Sequence, residues 1–318
     1  MRAYIVRRLG QMMPVLVAAS VIVFMVIRWI PGDPATIYAG PNATPEVIAA
    51  VRHEFGLDQS LPQQYITWIR NLSHGNLGVS YVSQLQVSYL IGSALPNTVE
   101  LATSALIFAL VVGITLGVVA GLSPDSWQDR LVSVYNVVGL SVPGFWLGFI
   151  LLLVFAVHLK VAPPGGHVGF SDDPVGAIGS LVLPAIALGM RFSAVVARFT
   201  RNAVIETLDE DFIRTAYAKG LGTLGMVRHD LLKNISLALI TITGVEFGGL
   251  IAGAVVIETV FSWPGLGQLL IQSLGNRDYA VVQALLLLFV TVFLLVSLLA
   301  DLCYSMLDPR IRVAGGQE

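Results

Sequence analysis

The chain has 318 residues, 55% hydrophobic and only 12% charged, with a formal net charge of −2. A soluble domain usually carries about 25% charge, so this composition belongs to a chain solvated largely by lipid, and nothing in its charge suggests a nucleic-acid partner. A single cysteine, Cys303, excludes an intrachain disulfide framework, zinc knuckles and CxxC chemistry.

A hydrocarbon core of about 30 Å is crossed by about 20 helical residues. Six apolar runs reach that length: residues 9–30, 98–122, 132–158, 177–197, 236–261 and 281–303. The first follows "MRAYIVRRLG" and has no A-x-A-type cleavage site after it, so it reads as a retained anchor rather than a signal peptide. With both termini cytoplasmic, the inner segments hold twelve Lys and Arg residues. The outer ones hold five: Arg28, Arg52, Arg70, Lys160 and Arg277. That bias satisfies the positive-inside rule, and an even number of crossings returns both ends to one side. The expected fold is therefore an all-α membrane protein with six transmembrane helices. Its parts are an N-terminal helix over 1–30, an extracytoplasmic segment over 31–97 with two short helices, a five-helix membrane domain over 98–308 with a cytoplasmic segment at 198–235, and a tail over 309–318.

In the outer segment, "TPEVIAAVRHEFG" predicts a helix with Thr44 as N-cap, Pro45 in the first turn and Gly56 as its stop. "LPQQYITWIRNL" predicts a second, amphipathic helix carrying Tyr65, Trp68 and Ile69. An aromatic face there suits a helix lying on the outer interface or capping a pore mouth; a small folded connection is the alternative. The third run contains Pro143 and Gly144 within "LSVPGFW", which predicts a bend. The fourth contains Pro184. The fifth, "GVEFGGLIAGAVVIE", is rich in small residues, and Gly249 and Gly253 form a GxxxG pair suited to close helix contact.

Charges inside apolar runs are costly and mark candidate sites. Glu100, Glu258 and Asp301 lie near run ends, within reach of the interface. Arg191 and Glu246 lie deeper; they pair with one another or face a wet cavity, or Arg191 snorkels to the inner surface. Together with Pro143 they are the translocation-path candidates. "FSWPGLG" gives Trp263, Pro264 and Gly265 as outer-gate candidates, a rigid turn being the other reading.

Much chemistry is missing. None of the three lysines follows a glycine, so there is no Walker A motif, and there is no HExxH and no GxSxG elbow. The five histidines show no pair at ligand spacing on one helix, so no metal site and no catalytic residue is expected. The longest inner segment is of another kind. "EDFIRTAYAKGLGTLGMVRHDLLKN" opens on acids and closes on bases, as a helix prefers. Ala216 and Gly220, four apart, share a helical face without bulk. Such a face fits a groove on another protein, with Arg214 and Lys219 beside it. Topology alone accounts for the basic residues but not for the small ones.

"TAYAKGLG", followed by "LLKNISLALI", resembles the coupling loop of ABC importer permeases. Thr215 stands where the general pattern has glutamate, as is usual in the peptide branch, and the terminal proline is replaced within "SLAL". "YIVRRLGQMMPVLVAASVIVFMVIRWIPGDPA", "FGLDQSLPQQYITWI", "GNLGVSY", "LPNTVELA", "ETVFSWPGLGQLL", "NRDYAVVQ" and "LADLCYSMLDPRIR" extend the likeness along nearly the whole chain. They resemble the first permease of the dipeptide/oligopeptide/nickel family. The resemblance implies a type I ABC importer permease of the bacterial inner membrane. Its partners would be a second homologous permease, two ABC ATPases that bind ATP and Mg, and an extracytoplasmic substrate-binding protein; this chain itself would hold no cofactor. It also implies ATPase docking by Thr215, Ala216, Tyr217, Ala218, Lys219, Gly220 and Leu221. Peptides are the commonest cargo of the family, with nickel and glutathione carried by near relatives. A gradient-driven secondary transporter, the rival reading, usually shows an internal repeat, and none is present.

Overall fold

Prolines and short polar side chains set many of the helix starts in the computed structural model, which describes residues 2–29, 32–211 and 232–307. Helix α1 spans Arg2–Trp29. Asp33 then caps α2 (Pro34–Ala39), accepting from the Ala35 N–H at 3.2 Å. Thr44 and Pro45 start α3 (Pro45–Glu54) as the sequence predicts, and Gly56 follows it at φ +63°, a left-handed conformation suited to glycine. Helix α4 (Leu61–Ser73) opens with Ser60, whose N–H and hydroxyl both donate to Gln63 Oε1. The outer segment thus holds three short helices, α2 having no amphipathic signature in only six residues.

Five longer stretches follow: α5 (Val87–Leu122), α6 (Trp127–Ser141), α7 (Gly144–Leu151) continuing into a π-helical turn over Leu152–His158, α8 (Pro174–Leu208) and α9 (Leu232–Val260). Helices α10 (Leu266–Gly275) and α11 (Tyr279–Leu307) close the described chain. Regular structure among the described residues is helical, with one isolated antiparallel bridge between Val79 and Gln86.

The expected third span is not a gently kinked helix but two helices bent by 107°. Val142, directly before Pro143, is held extended (ψ 123°), and the proline then caps α7. A proline disfavours helical geometry in the residue before it. Pro184 lies inside α8 without breaking it. Among the described residues four helices are long and apolar enough to cross a membrane, and the bent pair makes a fifth if counted as one. The expected run 236–261 falls in α9, of which Gly248–Val260 is an apolar stretch.

The chain divides into two compact units: Met1–Thr98 with Pro264–Leu294, and Val99–Trp263 with Leu295–Glu318. In the first, Val87, Ile91 and Ala94 of α5 pack with Leu266, Val281 and Leu285. The aromatic face of α4 is spent on α1: Phe24 meets Tyr65 edge-on at 5.2 Å and lies 6.0 Å from Trp68, while the Tyr65 hydroxyl bonds Ser20 Oγ at 2.8 Å.

In the second unit α8 is the central helix, burying Leu181, Leu188, Phe192 and Val196 against Leu101 and Ala105 of α5 and Leu250, Ala254 and Ile257 of α9. A close seam runs between α5 and α8. Gly113, Gly117 and Gly121 recur every four residues, and a Cβ on each would lie 2.7 Å from Ser193 O, 2.5 Å from Thr200 Cβ and 2.6 Å from Val204 Cβ. Gly189 answers from α8, where a Cβ would meet Ala105 O at 2.6 Å. This is small-residue packing of the kind that replaces the hydrophobic drive within lipid. Of the pair singled out in the sequence, Gly253 packs on Leu188, whereas Gly249 is exposed.

Candidate functional site

The docking residues read from the sequence, Thr215, Ala216, Tyr217, Ala218, Lys219, Gly220 and Leu221, lie outside the described residues. So does the side chain of Asp301. Helix α8, which precedes that segment in the chain, is described. Its C-terminal part is fixed by Arg201, whose Nε and Nη2 donate to the two carboxylate oxygens of Asp129 at 2.6 and 2.7 Å. Asp129 is nearly buried, its side chain 7% exposed against 26% for Arg201. It also accepts from the Asp125 N–H, while Ser126 Oγ accepts from the Asp129 N–H. A two-point fork of this kind fixes orientation as well as distance. It ties α8 to the start of α6. Tyr135 and Ser193 add a hydroxyl–hydroxyl bond between the same two helices.

Arg191 and Glu246 come to one place. A Cβ built on Gly249 would lie 4.0 Å from Arg191 Nη1 and 4.0 Å from Glu246 Oε2. Arg191 is exposed and Glu246 half-buried, and among the described residues no hydrogen bond or ion pair joins them. The two charges flank an open glycine surface on α9 and do not close on each other. Pro143 stands at the α6–α7 break. The α7 helix beginning there approaches α8 closely, a Cβ on Gly144 lying 3.1 Å from Ala187 O.

The outer-gate candidates divide. Trp263 is completely buried in the second unit; its N–H donates to Glu258 O at 2.8 Å, and its indole meets His167 edge-on at 4.6 Å. His167 Nε2 lies 3.0 Å from Glu100 Oε2. Gly166 N–H donates to Phe261 O, and Gly165, at φ +151°, has no Cβ to strike that oxygen. Glu258 is completely buried beside them in sequence. Pro264 and Gly265 belong to the first unit. There Pro264 O accepts from Asn97 Nδ2 at 2.8 Å, and the Leu266 N–H that follows Gly265 donates to Thr98 Oγ1 at 2.7 Å. "FSWPGLG" is thus anchored by hydrogen bonds on either side of its proline.

Three polar contacts have no counterpart in the sequence reading: Asp129 with Arg201, Glu100 with His167, and Asp278, which accepts from the Ser80 hydroxyl and from the Tyr81 N–H at 3.0 Å. Their partners stand 72, 67 and 198 positions apart, beyond the reach of local pattern. In the outer segment, Asp33 accepts from Arg52 at 2.6 Å and from Thr36 at 2.9 Å. Burial opposes ionisation of that carboxyl, yet the bonds from Arg52, Thr36 and the Ala35 N–H hold it below the usual carboxylate range. Among the described residues no group of three or more His, Cys, Asp or Glu is placed to hold a metal ion.

The comparisons with known proteins agree with this architecture. Residues 113–313 match the model of the binding-protein-dependent transport system inner membrane component, and residues 1–102 match that of its N-terminal part. A probable peptide ABC transporter permease protein of Sinorhizobium fredii is 36% identical over 98% of this chain and 100% of its own length. A putative peptide transport system permease protein of Brucella abortus is 39% identical over 98% of this chain and 99% of its own. The glutathione transport system permease protein GsiC of Escherichia coli is 39% identical over 97% of this chain and 98% of its own. A solved structure of the MetNI methionine ABC transporter in an inward-facing conformation superposes with a TM-score of 0.57 at 19% identity, covering 69% of this chain and 97% of that one. The chain belongs to the inner-membrane permeases of binding-protein-dependent ABC transport systems and has the fold of a type I importer permease.

Proposed function

We propose that this chain is one of two permeases forming the path of an ATP-driven importer of di- and oligopeptides. The observation that carries this reading is similarity to peptide permeases from end to end, 36–39% over 98% of the chain. The partners are a second, homologous permease, an extracytoplasmic substrate-binding protein and two cytoplasmic ATPases that bind ATP and Mg. This chain has no Walker A motif, so hydrolysis falls to the ATPases in this reading. Six crossings place both termini in the cytoplasm and residues 31–97 outside.

Thr215–Leu221 are the segment the ATPases grip, Ala216 and Gly220 being without bulk there. Closure of the ATPases moves that segment, and α8 carries the movement to the spans as rigid-body motion. The Asp129–Arg201 fork at its inner part makes α6 and α8 move as one piece. Arg191 and Glu246, flanking Gly249, supply a polar patch on the path, Pro143 the articulation of α6 with α7, and Trp263, Pro264 and Gly265 the outer gate.

Glutathione, itself a small peptide, is the second reading, favoured by the 39% identity to GsiC. Uptake into proteoliposomes holding the whole importer tests both. ATP-dependent entry of labelled dialanine, with glutathione as competitor, separates the two cargoes; entry driven by an ion gradient without ATP contradicts the proposal. A Gly220→Arg variant should leave the complex folded but abolish uptake while hydrolysis continues. Unchanged transport in that variant would remove the coupling role from this segment.

A further inference from the structure

The first unit holds a cavity whose lining includes none of the site candidates assigned above. It lies between the end of α1, the α2–α4 segment and the first turns of α11, with a volume of about 270 Å³. Its polar lining is Arg28, Asp33, Arg52, Gln64, Tyr81 and Gln283. The charges there do not balance. Arg52 is neutralised by Asp33 at 2.6 Å. Arg28 has only neutral acceptors: Gln64 Oε1 at 2.8 and 3.2 Å and Phe24 O at 3.2 Å, with the guanidinium carbon 3.4 Å from the centre of the Phe24 ring. Among the described residues no carboxylate lies within ion-pair distance of it, although it is half-buried. Facing the same space, Gln283 is 8% exposed, and its buried Nε2 has no acceptor among the described residues.

A half-buried cation without a counter-charge and a buried donor without an acceptor are each costly alone. Both needs are met by one ligand group: acceptor oxygens bearing a single negative charge. We propose that this cavity binds a singly charged oxyanion from the outer side, the carboxylate of a small solute or the phosphodiester of a lipid headgroup. Arg28 supplies the charge-assisted donors and Gln283 Nε2 a further one. A cation is repelled, the more so because Arg277 Nη1 lies 3.6 Å from a Cβ built on Gly32 of the same lining. The volume, at the small end for ligand pockets, admits a carboxylate-bearing solute and is far larger than a lone halide needs.

The test uses the full importer complex in phosphatidylcholine nanodiscs, with radiolabelled benzoate as the probe and benzamide as its neutral isostere. Wild type should bind benzoate saturably and benzamide much less. Arg28→Gln and Gln283→Leu should each weaken benzoate binding by about tenfold or more. Gln283→Leu keeps the volume and removes only the amide, so it stands if the arginine variant fails to elute as a monodisperse complex. In parallel, lipid retained by the detergent-purified complex is measured by mass spectrometry. Selective retention of phosphatidylglycerol, lost in both variants and unaccompanied by benzoate binding, supports the site and assigns it to lipid. Equal binding of benzoate and benzamide, or benzoate binding and lipid retention that both ignore the two substitutions, overturns it.

Discussion

The two compact units differ in how far their packing rests on missing side chains. In Val99–Trp263, beside polar ties such as Asp129–Arg201, one seam is made of absences: Gly113, Gly117 and Gly121 on α5, with Gly189 on α8, let backbones approach where a side chain would collide. In Met1–Thr98 with Pro264–Leu294, much of the outer part is tied by added groups: Tyr65 and Trp68 on Phe24, Arg28 on Gln64, Arg52 on Asp33, Asp278 on Ser80 and Tyr81. A seam of missing side chains depends on fit along its whole length, so one added methyl disturbs several turns. A seam of pairwise ties loses one tie at a time.

Four predictions test that difference. The largest effect is expected at the polar clamp of the second unit. Arg201→Ala leaves the nearly buried Asp129 carboxylate without its counter-charge, at a cost of about 3–5 kcal/mol. Thermal inactivation of the purified permease should show a large drop, and the Asp129→Ala/Arg201→Ala double variant should lose clearly less than the sum of its singles. Next is Gly117→Ala, whose new methyl meets Thr200 Cβ at 2.5 Å and Ala197 O at 2.6 Å; overpacking of this kind costs about 1–3 kcal/mol. Gly10→Ala, inside α1 with open space around its Cβ, is the matched control and should not lower the midpoint. Equal behaviour of the two would dissolve the glycine seam.

In the first unit, Asp278→Ala orphans the Ser80 hydroxyl and the Tyr81 N–H at about 1–2 kcal/mol. Its signature should be local: faster hydrogen exchange over residues 79–86 with exchange in α8 unchanged. Spread of the effect into α8 would contradict the pairwise picture.

The smallest effect is a pH dependence at the exposed His53–Asp58 pair. The hydrogen bond to Asp58 raises the His53 pKa above its ordinary value, and the same bond holds Asp58 below its own. The histidine contribution is complete below its ordinary pKa and is lost as pH rises through the raised one. The carboxylate contribution is complete above its ordinary pKa and is lost as pH falls through the depressed one. The pair therefore helps hold the turn after α3 in the weakly acidic window between them. Asp58→Asn should return the His53 titration midpoint, read by NMR of the labelled ring, toward the ordinary histidine value. An unchanged midpoint would remove the pair.

Sequence and structure diverge in an instructive way. Apolar run length located the long helices, and Thr44, Pro45 and Gly56 marked α3, because those signals are local. The break before Pro143 was legible as a bend but not as a 107° turn, since its size depends on what α7 packs against. The α5–α8 glycine seam was missed because Gly249 and Gly253 advertise a GxxxG motif as openly as Gly113, Gly117 and Gly121; only the facing helix decides which is used. Arg191 and Glu246 were legible as charges in apolar runs; that they flank Gly249 without a bond between them was not. The Asp129–Arg201 fork was not legible. Each member lies near a run end, where a charge calls for no explanation.

The measurement that tests the central claim most directly is ATP hydrolysis by the complex purified on a tag at this chain, with and without its binding protein loaded with mixed di- and oligopeptides. The account predicts a co-purifying ATPase stimulated several-fold by the loaded binding protein. Hydrolysis that ignores peptide would contradict the cargo, and a monodisperse complex with no hydrolysis at all would contradict the importer.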